Sequence, residues 1–123
     1  MKYYVCAIIK NEHKFLEEWI KHNLSIGFTD IILVEDIGSD SHKVITDKFS
    51  QVKLINVIEF LGKSVNRLHR QLDVFKKFIE LNKDGWCAFI DPDEYIDFGK
   101  KNIYEITQEF ESHKWFILSY NHI

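Results

Sequence analysis

The chain has 123 residues, of which 46% are hydrophobic and 15% aromatic, and its formal net charge is −3. This length suits one domain with one modest core, and the composition is that of a globular chain, not a disordered one. Charges of both signs are mixed without long runs, which argues against a nucleic-acid-binding surface. No stretch approaches the ~20 apolar residues of a membrane span. We therefore expect a single domain over residues 1–123, with no transmembrane segment and no nucleic-acid partner.

The N-terminus and the cysteines bear on where the chain resides. Tyr3 to Ile9 is a β-branched and aromatic run, and it lacks the long apolar region and the cleavage site of a signal peptide, so we interpret it as a strand. Cys6 and Cys87 fall in predicted strands far apart in sequence. They are most simply buried free thiols in a reducing cytoplasm, although the sequence alone also allows a disulfide.

Strand and helix patterns alternate along the chain. The predicted strands are Tyr3–Ile9, Ile31–Val34, Val52–Ile58, Trp86–Ile90 and Trp115–Tyr120. A first helix is predicted to open at Asn11-Glu12, to bury a stripe formed by Phe15, Leu16, Trp19, Ile20 and Leu24, and to be capped by Gly27. Further helices are predicted over His42–Phe49, over Arg67–Asn82 with a core stripe of Leu68, Leu72, Phe75 and Ile79, and after Asn102 with Ile103, Ile106 and Phe110 inward.

This alternation predicts a three-layer α/β fold with a largely parallel, doubly wound (Rossmann-like) sheet. In such sheets, ligands bind at the carboxyl ends of the strands. Three polar clusters follow predicted strands: Asn11-Glu12, Glu35-Asp36 and Asp91-Pro92-Asp93. We therefore expect a polar ligand site at this edge of the sheet.

The third cluster has the most specific chemistry. The apolar run Trp86–Ile90 leads directly into Asp91, Asp93 and Glu94, and unpaired carboxylates cannot continue a core strand. Pro92 fixes the turn between the two aspartates. Alone, such a tripeptide is more often an acidic turn that merely caps a strand. Beside two other polar clusters, it predicts a Mg²⁺ or Mn²⁺ site with room for substrate phosphates.

Together these residues resemble a family 2-like glycosyltransferase of the GT-A fold. The likeness is to a branch with a Lys-Asn-Glu box, here Lys10-Asn11-Glu12, and a Trp-x-x-x-Ile-Asp-x-Asp-Glu box, here residues 86–94. Gln71 matches a position that tends to be glutamine in this branch. The resemblance covers Tyr3 to about Ile96, and the two boxes together are more specific than either alone.

The resemblance implies an enzyme that transfers a sugar, with inversion, from a nucleotide-sugar donor, usually a UDP-sugar, with the help of Mn²⁺ or Mg²⁺. Asn11 and Glu12 would line the nucleotide pocket, and Asp36 would accept a hydrogen bond from the base. Asp91 would lie near the ribose and the metal, and Asp93 would bind the metal that bridges the diphosphate. The acceptor would be a glycan or a lipid-linked sugar, as in surface-polysaccharide biosynthesis.

Two departures from the family pattern limit what it implies. The usual Asp-Asp-Gly-Ser-Thr-Asp motif reads Glu35-Asp36-Ile37-Gly38-Ser39-Asp40 here, so either Glu35 or Asp36 faces the base, and we favour Asp36. Family members continue beyond this length with the acceptor pocket and the catalytic base, so the chain resembles the nucleotide-binding half, a truncated GT-A domain. Glu94 and His122 are candidates for the base by chemistry alone. Apolar Trp115, Phe116 and Leu118 in the last predicted strand lead us to expect a homodimer.

Two other functions remain open. A non-catalytic nucleotide-binding fragment would keep the pocket without turnover. A phosphoacceptor receiver domain has a similar length and alternating pattern, but it carries an acidic pair after its first strand, where this chain has Asn11-Glu12.

Overall fold

A computed structural model describes residues 2–63 and 67–108 of the chain. Its strands are β1 (Lys2–Ile9), β2 (Asp30–Glu35), β3 (Val52–Asn56) and β4 (Gly85–Phe89). Its helices are α1 (Leu16–Ser25), α2 (Lys43–Thr46), α3 (Val57–Leu61), α4 (Arg67–Leu81) and α5 (Ile103–Gln108). No helix in these two stretches has the length and apolar character needed to cross a membrane.

The described strands form one parallel sheet with the order β3-β2-β1-β4. The chain moves from β1 outward to β2 and β3, and then returns to place β4 on the other side of β1. This order matches the first four strands of the Rossmann arrangement, in which the strand order reverses beside β1. A cleft at the carboxyl ends of β1 and β4 is therefore where the topology predicts a ligand.

Helices cover both faces of the sheet, which confirms a three-layer α/β fold in the described part of the chain. Odd-numbered residues of β1, such as Val5 and Ala7, pack with α1 and with Ile103 of α5. Even-numbered residues, such as Tyr4 and Cys6, pack with α3 and α4. Because both faces are buried, β1 is apolar at almost every position. Cys6 and Cys87 are buried free thiols, as predicted.

The first helix begins later than the sequence pattern indicates. Asn11 has a φ of +52°, in the left-handed region, so the helix cannot start there. The carbonyl of Glu12 accepts hydrogen bonds from the N–H groups of Phe15 and Leu16, and the regular helix starts at Leu16. Phe15, predicted to be buried, is 53% exposed. The chain therefore leaves β1 through a polar corner at residues 10–11, and one turn that begins at Glu12 leads into the regular helix.

Helix α3 was not predicted, because Val57 and Ile58 continue the β-favouring pattern of the preceding strand. Asn56 ends the strand: its side-chain oxygen accepts a hydrogen bond from the Glu59 N–H at 2.8 Å and so caps the helix. Asparagine followed three residues later by glutamate is a recognised start signal. Gly62, with a φ of +75°, ends the helix. The short helix α2 also covers only Lys43–Thr46 of the predicted range 42–49.

Helix α4 has the predicted span to within one residue, but its predicted core stripe is wrong at Leu72, which is 51% exposed. Val74 and Phe78 are fully buried, with Phe75 and Ile79 packed beside them, and the Leu68 side chain of the predicted stripe lies outside what the structure describes. The helix presents Arg70 and Gln71 to a cavity at the sheet edge, which places Leu72 outside the core.

Helix α5 is capped by Asn102, as predicted: the Glu105 N–H donates to its side-chain oxygen at 3.0 Å. The helix approaches the end of α1 closely, because the Ile103 N–H donates to the Ile26 carbonyl at 2.7 Å. Gly27, with a φ of +110°, permits this contact, since a β-carbon there would lie 2.7 Å from the Ile103 side chain. Phe110, His122, the predicted strand Trp115–Tyr120 and its apolar side chains Trp115, Phe116 and Leu118 lie outside the described residues.

Candidate functional site

A cavity of about 420 Å³ lies at the carboxyl ends of β1 and β4, where the strand order reverses. We call it the strand-end cavity. Its floor is formed by Ile8 and Ile9 at the end of β1. Its polar walls are Lys10, Glu12, Asp36, Arg70, Gln71, Asp91 and Asp93, with Pro92. It thus brings together side chains from all three polar clusters that the sequence indicated.

The acidic turn after β4 is held in shape from within. The Glu94 N–H donates to the Asp91 carbonyl at 3.0 Å, and the Asp91 N–H donates to the Glu94 carboxylate at 3.1 Å. Buried Trp19 donates its indole N–H to the carbonyls of both Asp91 and Glu94, each at 3.1 Å. Asp93, at the tip of this turn, is exposed, whereas Glu94 is buried. The turn therefore directs Asp91 and Asp93 to the cavity and uses Glu94 as an internal support.

The corner between β1 and α1 is docked on the loop that follows β2. The Asn11 N–H donates to Ser39 Oγ at 3.0 Å, and Asn11 Oδ1 accepts from the Asp40 N–H at 2.9 Å. The Glu12 N–H donates to Nε2 of His42 at 2.9 Å. The Asn11 side chain is thus bonded to the loop, and it is Glu12 and Lys10 that line the cavity.

Glu35 and Asp36 point to different partners. Glu35 accepts hydrogen bonds from the backbone N–H of His42 at 2.7 Å and from its Nδ1 at 2.8 Å. Asp36 lines the strand-end cavity, and its carboxylate lies 2.6 Å from the guanidinium of Arg70. Of the two carboxylates left open by the sequence, Asp36 is therefore the one available to a ligand in the cavity.

The cavity is rich in negative charge. Four carboxylates line it, from Glu12, Asp36, Asp91 and Asp93, against two cationic side chains, Lys10 and Arg70. Burial raises the pKa of Glu12, and the nearby charge of Asp93 raises it further. These carboxylates would repel an anionic ligand such as a diphosphate unless a cation accompanied it.

We tested whether the cavity fits a divalent cation. In residues 2–63 and 67–108, no three His, Cys, Asp or Glu side chains cluster closely enough to hold a metal ion. Mg²⁺, however, is commonly held by one or two carboxylates together with substrate phosphates and water. The residues present therefore fit a cation that Asp93 and Asp91 would share with a bound diphosphate, and they do not form a self-sufficient metal centre.

Sequence reasoning placed Asn11, Glu12, Asp36, Asp91 and Asp93 at one site. The four carboxylates line the cavity, and Asn11 does not. It missed Arg70 and the supporting roles of Trp19 and His42. No local pattern marks these residues, because each acts through a partner at least 30 residues away in the sequence. His122 lies outside the described residues, and Glu94 does not line the cavity.

No protein-family model, curated protein or solved structure matches the chain.

Proposed function

We propose that this chain is the nucleotide-sugar-binding domain of a glycosyltransferase of the GT-A type, using a UDP-sugar donor and Mn²⁺ or Mg²⁺. The observation that carries the proposal is the convergence of Glu12, Asp36, Asp91 and Asp93 on one cavity beside β1. The strand order supports the same class, since a flavodoxin-like sheet, which the receiver alternative requires, would place β3 beside β1.

The chemistry of the cavity suits the parts of a nucleotide-sugar. Asp36 and Arg70 present a carboxylate acceptor and a guanidinium donor side by side, a combination that can bond to the polar edge of a pyrimidine base. Asp91 and Asp93 lie across the cavity and would hold the cation that accompanies the diphosphate. When bound, such a cation neutralises charge that develops on the departing diphosphate as the sugar is transferred.

The sequence of the turn after β1 distinguishes this site from the dinucleotide-binding class of site. That class carries a glycine-rich sequence there, so that the backbone can approach the pyrophosphate. Here the turn is Lys10-Asn11-Glu12, without glycine and with a carboxylate facing the cavity. Repulsion between that carboxylate and phosphate favours a metal-dependent ligand over a directly bound one.

The test is calorimetric titration of UDP into the purified chain with Mn²⁺, and again with EDTA. We expect binding that requires the metal and is lost in Asp93→Ala. Asp47→Ala is the matched control, because the Asp47 side chain, at the C-cap of α2, is 61% exposed and does not line the cavity. Absence of UDP binding with Mn²⁺ in the wild-type chain would reject the proposal.

A second measurement separates the enzyme from the non-catalytic alternative. Release of UDP from UDP-sugars, followed with Mn²⁺ present, reports donor turnover by hydrolysis or transfer. We expect release above the rate of the Asp93→Ala variant. Metal-dependent binding without any release would favour a nucleotide-binding module.

A further inference from the structure

Buried His42 connects the corner after β1 with the end of β2, two segments that are distant in sequence. Its side chain is fully buried, and both ring nitrogens have a partner. Nδ1 lies 2.8 Å from the Glu35 carboxylate, and Nε2 lies 2.9 Å from the backbone nitrogen of Glu12. Since a backbone N–H only donates, Nε2 must be the acceptor and the proton resides on Nδ1.

This arrangement fixes the chain immediately before a cavity-lining side chain. The preceding residue, Asn11, has a positive φ, a left-handed conformation that asparagine adopts more readily than most other non-glycine residues. The bond from the Glu12 N–H to His42 is one of four by which the corner docks on the loop after β2. The ring of His13 stacks on the ring of His42, with 4.1 Å between the ring centroids, and so covers one face of it.

We propose that His42 is a positioning residue for Glu12, a role that rests on the nucleotide site proposed above. Its imidazole accepts the Glu12 N–H while Glu35 holds the ring from the other side. The carboxylate of Glu12 is thereby held in the cavity, where the charge of Asp93 acts on it. His42 itself does not line the cavity, so it would act on a ligand there only through Glu12.

Two substitutions distinguish positioning from general structural support. In His42→Asn, the shorter amide can still donate to Glu35 but cannot reach the Glu12 N–H. In His42→Gln, the longer amide can place its oxygen near the position of Nε2 and accept from Glu12. Val44→Ser is the control, because Val44 lies on the same segment and is 81% exposed.

The first readout needs no ligand and so does not depend on the proposed function. We expect slow hydrogen exchange of the Glu12 amide in the wild type, in His42→Gln and in Val44→Ser, and fast exchange in His42→Asn. Nitrogen spectra of the wild type should show a protonated Nδ1 and an unprotonated Nε2 on His42. An unprotected Glu12 amide or a proton on Nε2 in the wild type would overturn the positioning role, even if His42→Asn fails to fold.

The second readout is UDP affinity in the presence of Mn²⁺. Loss of one hydrogen bond to a buried acceptor should weaken binding about five- to tenfold in His42→Asn, with less than about a twofold change in His42→Gln. In a Glu12→Gln background, the effect of His42→Asn should shrink to under about twofold, because the two residues act as one unit. Equal losses in both His42 variants, or a full loss in the Glu12→Gln background, would contradict positioning. A wild-type chain that does not bind UDP would reject the nucleotide site and leave the exchange result to decide the role of His42.

Discussion

Arg70, in the first turns of α4, contacts Asp36, at the end of β2, with a nitrogen–oxygen distance of 2.6 Å. The two side chains are only 15% and 24% exposed, so their charges are largely withdrawn from water. This contact fixes the start of α4 over the sheet edge and places a cation beside the carboxylates of the cavity.

Replacing Arg70 should therefore lower the free energy of unfolding more than replacing a cation on the surface does. We expect Arg70→Met to lower the free energy of unfolding by about 1.5–3 kcal/mol, because the partly buried Asp36 loses a charged hydrogen-bond partner. Lys43→Met is the control: Lys43 pairs with Asp47 on an exposed helix face, and such pairs contribute no more than about 0.5 kcal/mol. Urea unfolding compares the two, and similar losses would show that the Asp36 contact is not stabilising.

Glu12 should destabilise the folded chain at neutral pH. Its folded-state pKa is raised, by burial first and by Asp93 second, so the native chain holds more protons than the unfolded chain between the two pKa values. Stability consequently falls as pH rises through that interval, and the cost is absent below the unfolded value of about 4.3. We expect Glu12→Gln to raise the melting temperature at pH 7 in EDTA, and the gain to vanish near pH 4.

The control for this prediction is Glu80→Gln, at an exposed position of α4. Its melting temperature should follow that of the wild type at both pH values. A Glu12→Gln variant that is no more stable than the wild type at pH 7 would show that the ionised Glu12 carboxylate does not destabilise the folded chain.

Tyr4 forms a hydrogen bond at the edge of the sheet opposite the strand-end cavity, just before β4 begins. Its hydroxyl donates to Asp84 at 2.8 Å, and burial together with this carboxylate raises the pKa of Tyr4 to about 12. We expect Tyr4→Phe to lower stability by about 1 kcal/mol and to leave UDP affinity unchanged, since the contact lies away from the strand-end cavity. Tyr104→Phe, at a residue that is 55% exposed, should change neither quantity. Weaker UDP binding in Tyr4→Phe would mean that the two edges are coupled.

The two thiols should be inert in the folded chain. Cys6 and Cys87 are 0% and 1% exposed, and burial raises the pKa of both, that of Cys87 to about 11. Thiolate is the reactive form, so we expect almost no labelling by an aromatic disulfide reagent at pH 8 in native buffer. Two thiols should react in denaturant. Rapid labelling of either cysteine without denaturant would indicate that its strand opens readily.

The sequence predicts the sheet and the acidic half of the site because both depend on local patterns. Strand ends are visible as an apolar run followed by Glu35-Asp36 or by Asp91, and parallel strands bring their carboxyl ends to one edge. Local patterns fail where a tertiary contact decides. Val57 is a β-favouring residue, but Asn56 caps a helix that starts there. Leu72 has the helical spacing of a core residue, but in the packed helix its side chain is exposed.

The supporting contacts of the site were beyond sequence reasoning for the same reason. The Trp19 indole, His42 and Arg70 each bond to a group that only the folded topology brings near. Nothing in the spacing of these residues distinguishes them from ordinary core or surface positions.

The pairing of β1 with β4 has a consequence for how the cavity forms. It aligns Lys2 with Gly85 and Cys6 with Phe89, so it joins segments about 83 residues apart, whereas β1 pairs with β2 only 26 residues away. Closing the longer loop is slower and costs more chain entropy. A partly folded chain that has joined only β1, β2 and β3 would lack Asp91 and Asp93 at the sheet edge. The metal-dependent nucleotide binding that we propose would then appear only in the last step of folding, and UDP added with Mn²⁺ during refolding would report when that step is complete.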